Sequence, residues 1–321
     1  MPSNKRIAFW VSEKKLLKLN WQELETISKK YGFEVFKLCL KKSLESQGPF
    51  CVFVHKMTDI IASANMGDIR CANLIQEVET YISQNPSLVV IDPVANVRRL
   101  IDRCNCYSII RSTNLATYDV FTPNFCTLRS GDRESLKQQL KMAKVTYPFI
   151  CKPILGHGSK KAHEMSIIFN EKFLSDIRTP CVAQSFINHD AVLFKIYIAG
   201  ERHCHVERPS LKNFQASDRE TIYFDTSDVS KADSKSRLCV LDPEDLIIQK
   251  PKPDEEVIDI IATTLRKAFG MDLLGVDVVI DKTTRKYAII DVNAYPGYEG
   301  FPNFFDALLE CISKKLSSDF T

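Results

Sequence analysis

A chain of 321 residues exceeds what one ordinary hydrophobic core organises, so two or three domains are expected. Its 45% hydrophobic and 26% charged residues are a globular balance that excludes a disordered chain. A net charge of +3 gives no global pull toward nucleic acid, and no apolar run reaches the roughly 18 residues that cross a bilayer.

The first hundred residues alternate between two periods. Arg6 to Val11 reads as a strand, and its apolar stretch is too short for a secretory leader. Leu16 to Tyr31 has helical spacing, with Gly32 as a stop. Phe33 to Leu38 and Phe50 to Val54 read as strands, Met66 to Ser83 as a helix, and Leu88 to Ile91 as a fourth strand. That order predicts a doubly wound parallel sheet. Beyond Arg103 the spacing predicts helices at Tyr107 to Thr117, Arg133 to Ala143 and Glu171 to Ile177, and strands at Phe149 to Lys152, Met165 to Phe169 and Cys181 to Phe186. Longer alternating strands follow at Val192 to Ile198, His203 to Glu207, Gly275 to Ile280 and Tyr287 to Val292, with helices at Asp254 to Phe269 and Phe304 to Leu316. The Ser-, Asp- and Lys-rich Asp225 to Arg237 reads as a mobile loop. The expected division is 1–102, 103–188 and 189–321, a doubly wound unit and two α+β units. Eleven cysteines without a CxxC pair argue against disulfides or a zinc site and for a reduced, cytoplasmic compartment.

The sharpest chemical signal is a hairpin, Gly275 to Asp281 and Tyr287 to Asn293, joined by a polar loop. If Asp281 pairs with Tyr287, counting back puts Asp277 opposite Asp291, and Asn293 shares their face because side chains alternate. Their neighbours are Val276, Val278, Ile290 and Val292. Two carboxylates side by side among apolar residues repel unless a cation lies between them. Hard oxygen ligands suit Mg²⁺ completed by phosphates and water, and the pattern alone does not separate it from Mn²⁺. A solvated strand face is the bland alternative.

Basic residues stand where a phosphorylated ligand needs them. Lys14 and Lys15 follow the first strand and Lys56 the third, at the strand ends where open α/β sheets bind ligands. Lys152 ends an apolar strand, as a snorkelling edge residue or a ligand. His157 and His163 bracket a glycine-rich turn, and Arg208 ends another strand. Lys195 sits in Val192-Leu-Phe-Lys-Ile-Tyr-Ile, where a buried ammonium needs an anionic partner. No GxxxxGK[ST] loop, GxGxxG loop or protein-kinase motif is present.

In order along the chain come Ser12-Glu-Lys-Lys15, His55-Lys-Met-Thr-Asp59, Leu100-Ile-Asp-Arg103, Phe149-Ile-Cys-Lys152, Gln184-Ser-Phe-Ile-Asn-His189, Arg208-Pro-Ser-Leu-Lys-Asn-Phe214 and Ile290-Asp-Val-Asn-Ala-Tyr-Pro-Gly-Tyr-Glu-Gly300. With them the chain resembles the inositol-tetrakisphosphate 1-kinase (inositol 1,3,4-trisphosphate 5/6-kinase) family from Arg6 to the last helix. The resemblance implies an ATP-grasp fold, with the nucleotide between two antiparallel sheets. It implies that Arg103, Lys152 and Lys195 contact ATP phosphates. Gln184, Ser185, Phe186, Ile187, Asn188 and His189 lie in the implied hinge that reads adenine through its backbone, and Ser210, Thr226 and Ser230 line the nucleotide. Lys15, Lys56, His157, Gly158, His163, Lys195, Arg208, Asn293 and Gly297 are the implied inositol-phosphate contacts. Asp277, Asp291 and Asn293 are the implied ligands of two Mg²⁺ ions, with Lys152, Lys195 and Asp277 at the chemistry. A monomer acting on soluble inositol polyphosphates, with no nucleic-acid or membrane partner, is what the resemblance leads us to expect.

The chain departs from the family in a Lys152 to His163 stretch one residue longer, and in Thr226 where a serine is usual. An ATP-grasp carboxylate–amine ligase shares the metal hairpin and is the nearest rival. A non-catalytic inositol-phosphate scaffold is the rival outside enzymes, and degenerate residues at the hairpin would mark it; none is degenerate.

Overall fold

A computed structural model describes residues 5–156, 160–231, 233–245 and 251–318. The apolar alternation at the N-terminus produces four parallel strands, β1 (Arg6–Trp10), β2 (Glu34–Lys37), β3 (Val52–His55) and β4 (Val89–Ile91), in the order β2-β1-β3-β4. Each of the two expected helices forms behind a shorter one that the sequence reading lacks. A turn, α1 (Glu13–Leu16), precedes α2 (Trp21–Lys30), the helix expected at Leu16 to Tyr31, which starts at Asn20, whose side chain accepts from Glu23 N. Likewise α3 (Thr58–Asn65) precedes α4 (Ile69–Gln84), the helix expected at Met66 to Ser83. Gly67, at φ +94°, turns the chain, and Asp68 caps the new start by accepting from Arg70 N and Cys71 N. α5 (Val94–Ile101) has no counterpart in the sequence reading.

The remainder forms two five-stranded sheets. β6 (Phe125–Leu128), β7 (Phe149–Pro153), β8 (Glu164–Ile168), β9 (Cys181–Ser185) and β12 (Ile222–Asp225) make one, ordered β12-β8-β7-β9-β6. β5 (Val120–Phe121), β10 (Val192–Ala199), β11 (Arg202–Pro209), β13 (Leu273–Ile280) and β14 (Tyr287–Ala294) make the other, ordered β11-β10-β13-β14-β5. β5 therefore lies in the sheet of residues 189–321, and β12 in the sheet of residues 103–188. β5, β6 and β12 escape the sequence reading because two to four residues carry little periodicity.

α6 (Arg103–Arg111) and a 3₁₀ turn at Asn114–Tyr118 replace the helix expected at Tyr107 to Thr117. α7 (Arg133–Met142) forms as expected, whereas Glu171–Asp176 is 3₁₀. The supposed loop opens with a helical turn, α8 (Thr226–Val229), capped by Asp225. α9 (Glu255–Phe269) ends at Gly270 in the left-handed region, and α10 (Phe304–Ser318) closes the described chain.

The cores follow. One merges Ile7, Phe9, Val52 and Val54 of the first sheet with Leu273, Tyr298, Phe305, Leu309 and Ile312 from the C-terminal part. The β6–β9 sheet has its own, with Leu136, Leu140, Phe149, Ile168 and Leu174. No helix among the described residues is long and apolar enough to cross a membrane.

Candidate active site

The hairpin places Asp277 opposite Asp291, as expected, by a different path. Ile280, not Asp281, pairs with Tyr287, which alone would put Asp277 one residue out of step. A bulge follows Asp277/Val278, and Ile290 takes no cross-strand partner in β13; this restores the register. The bulge also frees the Ile290 carbonyl. It accepts from Tyr107 Oη at 2.9 Å and from Lys152 Nζ at 2.8 Å, and Lys152 also lies 3.2 Å from Tyr107 Oη. Lys152 is thus buried and ligated rather than snorkelling. Burial pushes its ammonium down to about 8, against the pull of Asp291.

Lys195 pairs with Asp277 across β10 and β13, so Lys195, Asp277 and Asp291 stand in a row on one face. Lys195 Nζ is 2.7 Å from Asp277 Oδ1. Arg103 Nε is 3.8 Å from Asp291 Oδ1, and its Nη1 donates to Pro153 O. Asn293 Nδ2 is 3.5 Å from Asp291 Oδ2. Burial raises Asp277 above the ordinary carboxylate range despite Lys195, because Asp291 adds repulsion. Burial works against the charge of Lys195, but Asp277, with a smaller pull from Asp291, outweighs it and raises the group.

The first sheet reaches this face with two lysines. Lys56 Nζ donates to Tyr295 O at 2.9 Å and Lys15 Nζ to Pro296 O at 2.8 Å. Burial, then repulsion from Lys56, lowers Lys15 to about 8, and burial lowers Lys56. Gly275 makes room here: a Cβ would meet Pro296 Cβ at 2.9 Å. Five cations, Lys15, Lys56, Arg103, Lys152 and Lys195, therefore gather around two carboxylates. An anion of high charge is what such a surplus receives.

The donor set fits a hard divalent cation. Among the described residues no cluster of three His, Cys, Asp or Glu side chains is placed to hold a metal, so a cation here rests on two carboxylates and the Asn293 amide, completed by phosphates and water.

The segment after β9 has an unusual pattern of unused backbone groups. Phe186 N donates to Pro148 O, and Pro148 has no N–H to return, so the Phe186 carbonyl is left unpaired among the described residues. Ile187 N is likewise unpaired among the described residues, while the Ile187 carbonyl accepts from His189 Nδ1 and the Asn188 carbonyl from Lys282 N. His189 Nε2 lies 2.7 Å from Ser210 Oγ, and burial holds the imidazole neutral by lowering it to about 4. Gln184 Nε2 is buried with no partner among the described residues, and Ser185 Oγ accepts from Thr146 N. Leu193, Val279 and Ala288, with Ile187 and Ile290, form a small apolar cluster in contact with this segment.

Other expected site residues make local contacts, and Arg208, two residues beyond the Val206 that pairs with Lys195, shares the face of the charged row. His163 Nδ1 is 3.2 Å from Thr226 Oγ1 at the β8–β12 edge, and Ser230 Oγ bonds Thr226 O. Arg208 Nη2 donates to Glu299 O. A Cβ on Gly297 would touch only Glu299 at 3.6 Å, so packing does not demand that glycine. His157 and Gly158 lie outside the described residues. Tyr107 and Tyr295 were missed, because a tyrosine within an apolar helical stripe and one after a strand read as ordinary core.

A sequence model of the inositol 1,3,4-trisphosphate 5/6-kinase ATP-grasp domain matches residues 116–314, and one of the pre-ATP-grasp domain of the same kinases matches residues 6–97. An inositol-tetrakisphosphate 1-kinase from Danio rerio is 43% identical over 97% of this chain and 79% of its own length. One from Xenopus laevis is 42% identical over 96% of this chain and 78% of its own. A D-alanine–D-alanine ligase structure from Bacillus anthracis superposes with a TM-score of 0.61 at 12% identity, covering 98% of this chain and 99% of that one, which is a likeness of fold alone.

Proposed function

Because the chain belongs to the inositol 1,3,4-trisphosphate 5/6-kinase family, with its ATP-grasp fold, we propose that it moves the γ-phosphoryl group of ATP onto position 1 of inositol 3,4,5,6-tetrakisphosphate and position 5 or 6 of inositol 1,3,4-trisphosphate. The observation that carries this reading is the convergence of Lys15 and Lys56 onto Tyr295 and Pro296, beside Asn293 and the Lys195–Asp277–Asp291 row. An acceptor with four phosphates brings roughly −6 to −8, at about −1.5 to −2 each, and the lysines from the first sheet supply a matching clamp. The proposal keeps three units, 1–102, 103–188 and 189–321, although β5 joins the sheet of the last and β12 that of the middle one.

The Gln184 to His189 segment would read adenine through its backbone, with the Phe186 carbonyl, unpaired among the described residues, as the acceptor for the adenine amino group. Ser210, Thr226, Ser230 and the orphan Gln184 amide complete the nucleotide side. Arg103, Lys152 and Lys195 neutralise the phosphates, and Lys15, Lys56, His163, Arg208 and Asn293 hold the acceptor with one hydroxyl in line. Phosphoryl transfer is mostly positioning and charge neutralisation, and no general base is needed in a loose transition state. Asp277, Asp291 and Asn293 would hold two Mg²⁺ ions, whose chemistry is to spread the charge developing on the β- and γ-phosphates. The chain is proposed to act as a monomer in the cytoplasm.

Incubation with Mg-ATP and a panel of inositol tris- and tetrakisphosphates, resolved by chromatography, tests the reading. New peaks one phosphate richer are expected. Silence across the panel together with turnover of an amino-acid carboxylate would replace the kinase reading by a ligase.

A further inference from the structure

Asp92 is a buried carboxylate, 3% exposed, that the proposed chemistry does not use. It follows β4, in the first sheet, yet both of its oxygens are spent on the C-terminal part. Oδ1 accepts from Asp272 N at 2.6 Å and Oδ2 from Leu273 N at 3.0 Å. The nearby cations Arg266 and Lys315 bond to Asp272 instead, and Lys315 lends Asp92 only a small pull. A buried carboxylate with no ion pair of its own among the described residues is costly, and an apolar residue would fill this core more cheaply. What only a carboxylate supplies is two charge-assisted acceptors for two successive backbone N–H groups.

Those groups lead to the acceptor lysines. The Leu273 carbonyl accepts from Tyr295 N at 2.8 Å, the Tyr295 carbonyl from Lys56 Nζ at 2.9 Å, and the adjacent Pro296 carbonyl from Lys15 Nζ at 2.8 Å. β13, which Leu273 begins, also carries Asp277.

We infer that Asp92 is a positioning residue for the acceptor: it fixes the start of β13 and, through Leu273 and Tyr295, the carbonyls on which Lys56 and Lys15 rest. The inference rests on the reading of those lysines as acceptor contacts. The nucleotide is bound elsewhere, by Lys152, Lys195 and the segment after β9, so loosening Asp92 separates the two substrates.

Steady-state kinetics of Asp92→Asn, with each substrate varied in turn, tests this beside Lys56→Ala and a thermal melt. Asparagine keeps the shape and turns one acceptor into a donor facing an N–H. The acceptor KM rises about tenfold, the cost of a lost charge-assisted hydrogen bond, while the KM for ATP stays within about twofold. A purely structural role lowers the melting temperature and leaves both KM values unchanged, or raises them alike, and either result overturns the inference. If Asp92→Asn does not fold, Asp92→Glu retains both acceptors one methylene out of place. It is expected to raise the acceptor KM, and an unchanged value overturns the inference equally. Lys56→Ala separates the two levels. A raised acceptor KM in Lys56→Ala with none in Asp92→Asn removes Asp92 alone, whereas an unaffected Lys56→Ala removes the acceptor site and Asp92 with it.

Discussion

Lys152 rests on the Ile290 carbonyl with its ammonium lowered by burial to about 8, from an ordinary 10.5. Two pH effects of opposite sign follow. Between those values the unfolded chain keeps the proton and the folded chain does not, so this group makes the fold more stable as pH rises from about 8 toward 10.5. Phosphate binding needs the charged form. kcat/KM for ATP is therefore expected to fall as pH rises through about 8, and Lys152→Arg to move that fall upward if it remains active. A pH–rate profile flat to pH ~10 would contradict the assignment of Lys152 to the phosphates. At Asp277 the charge rather than the shape is at issue. Asp277→Asn is expected to cut kcat by roughly 10²–10³-fold, the scale of losing one preorganised charge, with circular dichroism unchanged. Near-normal turnover at saturating Mg²⁺ would remove Asp277 from the metal site.

β13 and β14 show what a sequence discloses about an element and what it conceals. The alternation of Val276, Val278 and Val292 with the polar positions made the face shared by Asp277, Asp291 and Asn293 legible, because period two follows from the pleat itself. The bulge at Ile290 was not legible. Its carbonyl is satisfied by Tyr107 and Lys152 from distant elements, and nothing local records that. The count from the loop erred by one residue and the bulge returned it, so the Asp277–Asp291 pair was reached through a mistaken Asp281–Tyr287 pair. Asp92 was read only as the end of a strand, since its partners Asp272 and Leu273 lie 180 and 181 residues away. Gly275 allows a test at this scale. In Gly275→Ala the new Cβ meets the Pro296 ring at 2.9 and 3.0 Å, which displaces the carbonyl that holds Lys15. The acceptor KM should rise with the ATP KM nearly unchanged, and an unchanged acceptor KM would show that the ring yields freely.

Across the whole molecule, the first sheet and the C-terminal sheet share one core through Phe9, Val54, Leu273, Tyr295 and Phe305, whereas the β6–β9 sheet is packed mainly on cores of its own. Lys15, Lys56, Asp277 and Asp291 thus belong to one body, and Lys152 enters from another. Native-state hydrogen exchange should show amides of β7, β8 and β9 opening while those of β1, β3 and β13 stay protected. A single global opening for all of them would contradict that division. The expectation drawn from composition, a chain of average globular balance, agrees with extensive cores but says nothing of which groups face which. The central claim, phosphoryl transfer from ATP to an inositol polyphosphate at the Lys195–Asp277–Asp291 row, is tested most directly by a single turnover with γ-labelled ATP, Mg²⁺ and inositol 3,4,5,6-tetrakisphosphate. Label is predicted to appear in an inositol pentakisphosphate with the unaltered chain and not with Asp291→Asn. Label that reaches no inositol phosphate, or transfer that survives Asp291→Asn undiminished, would contradict it.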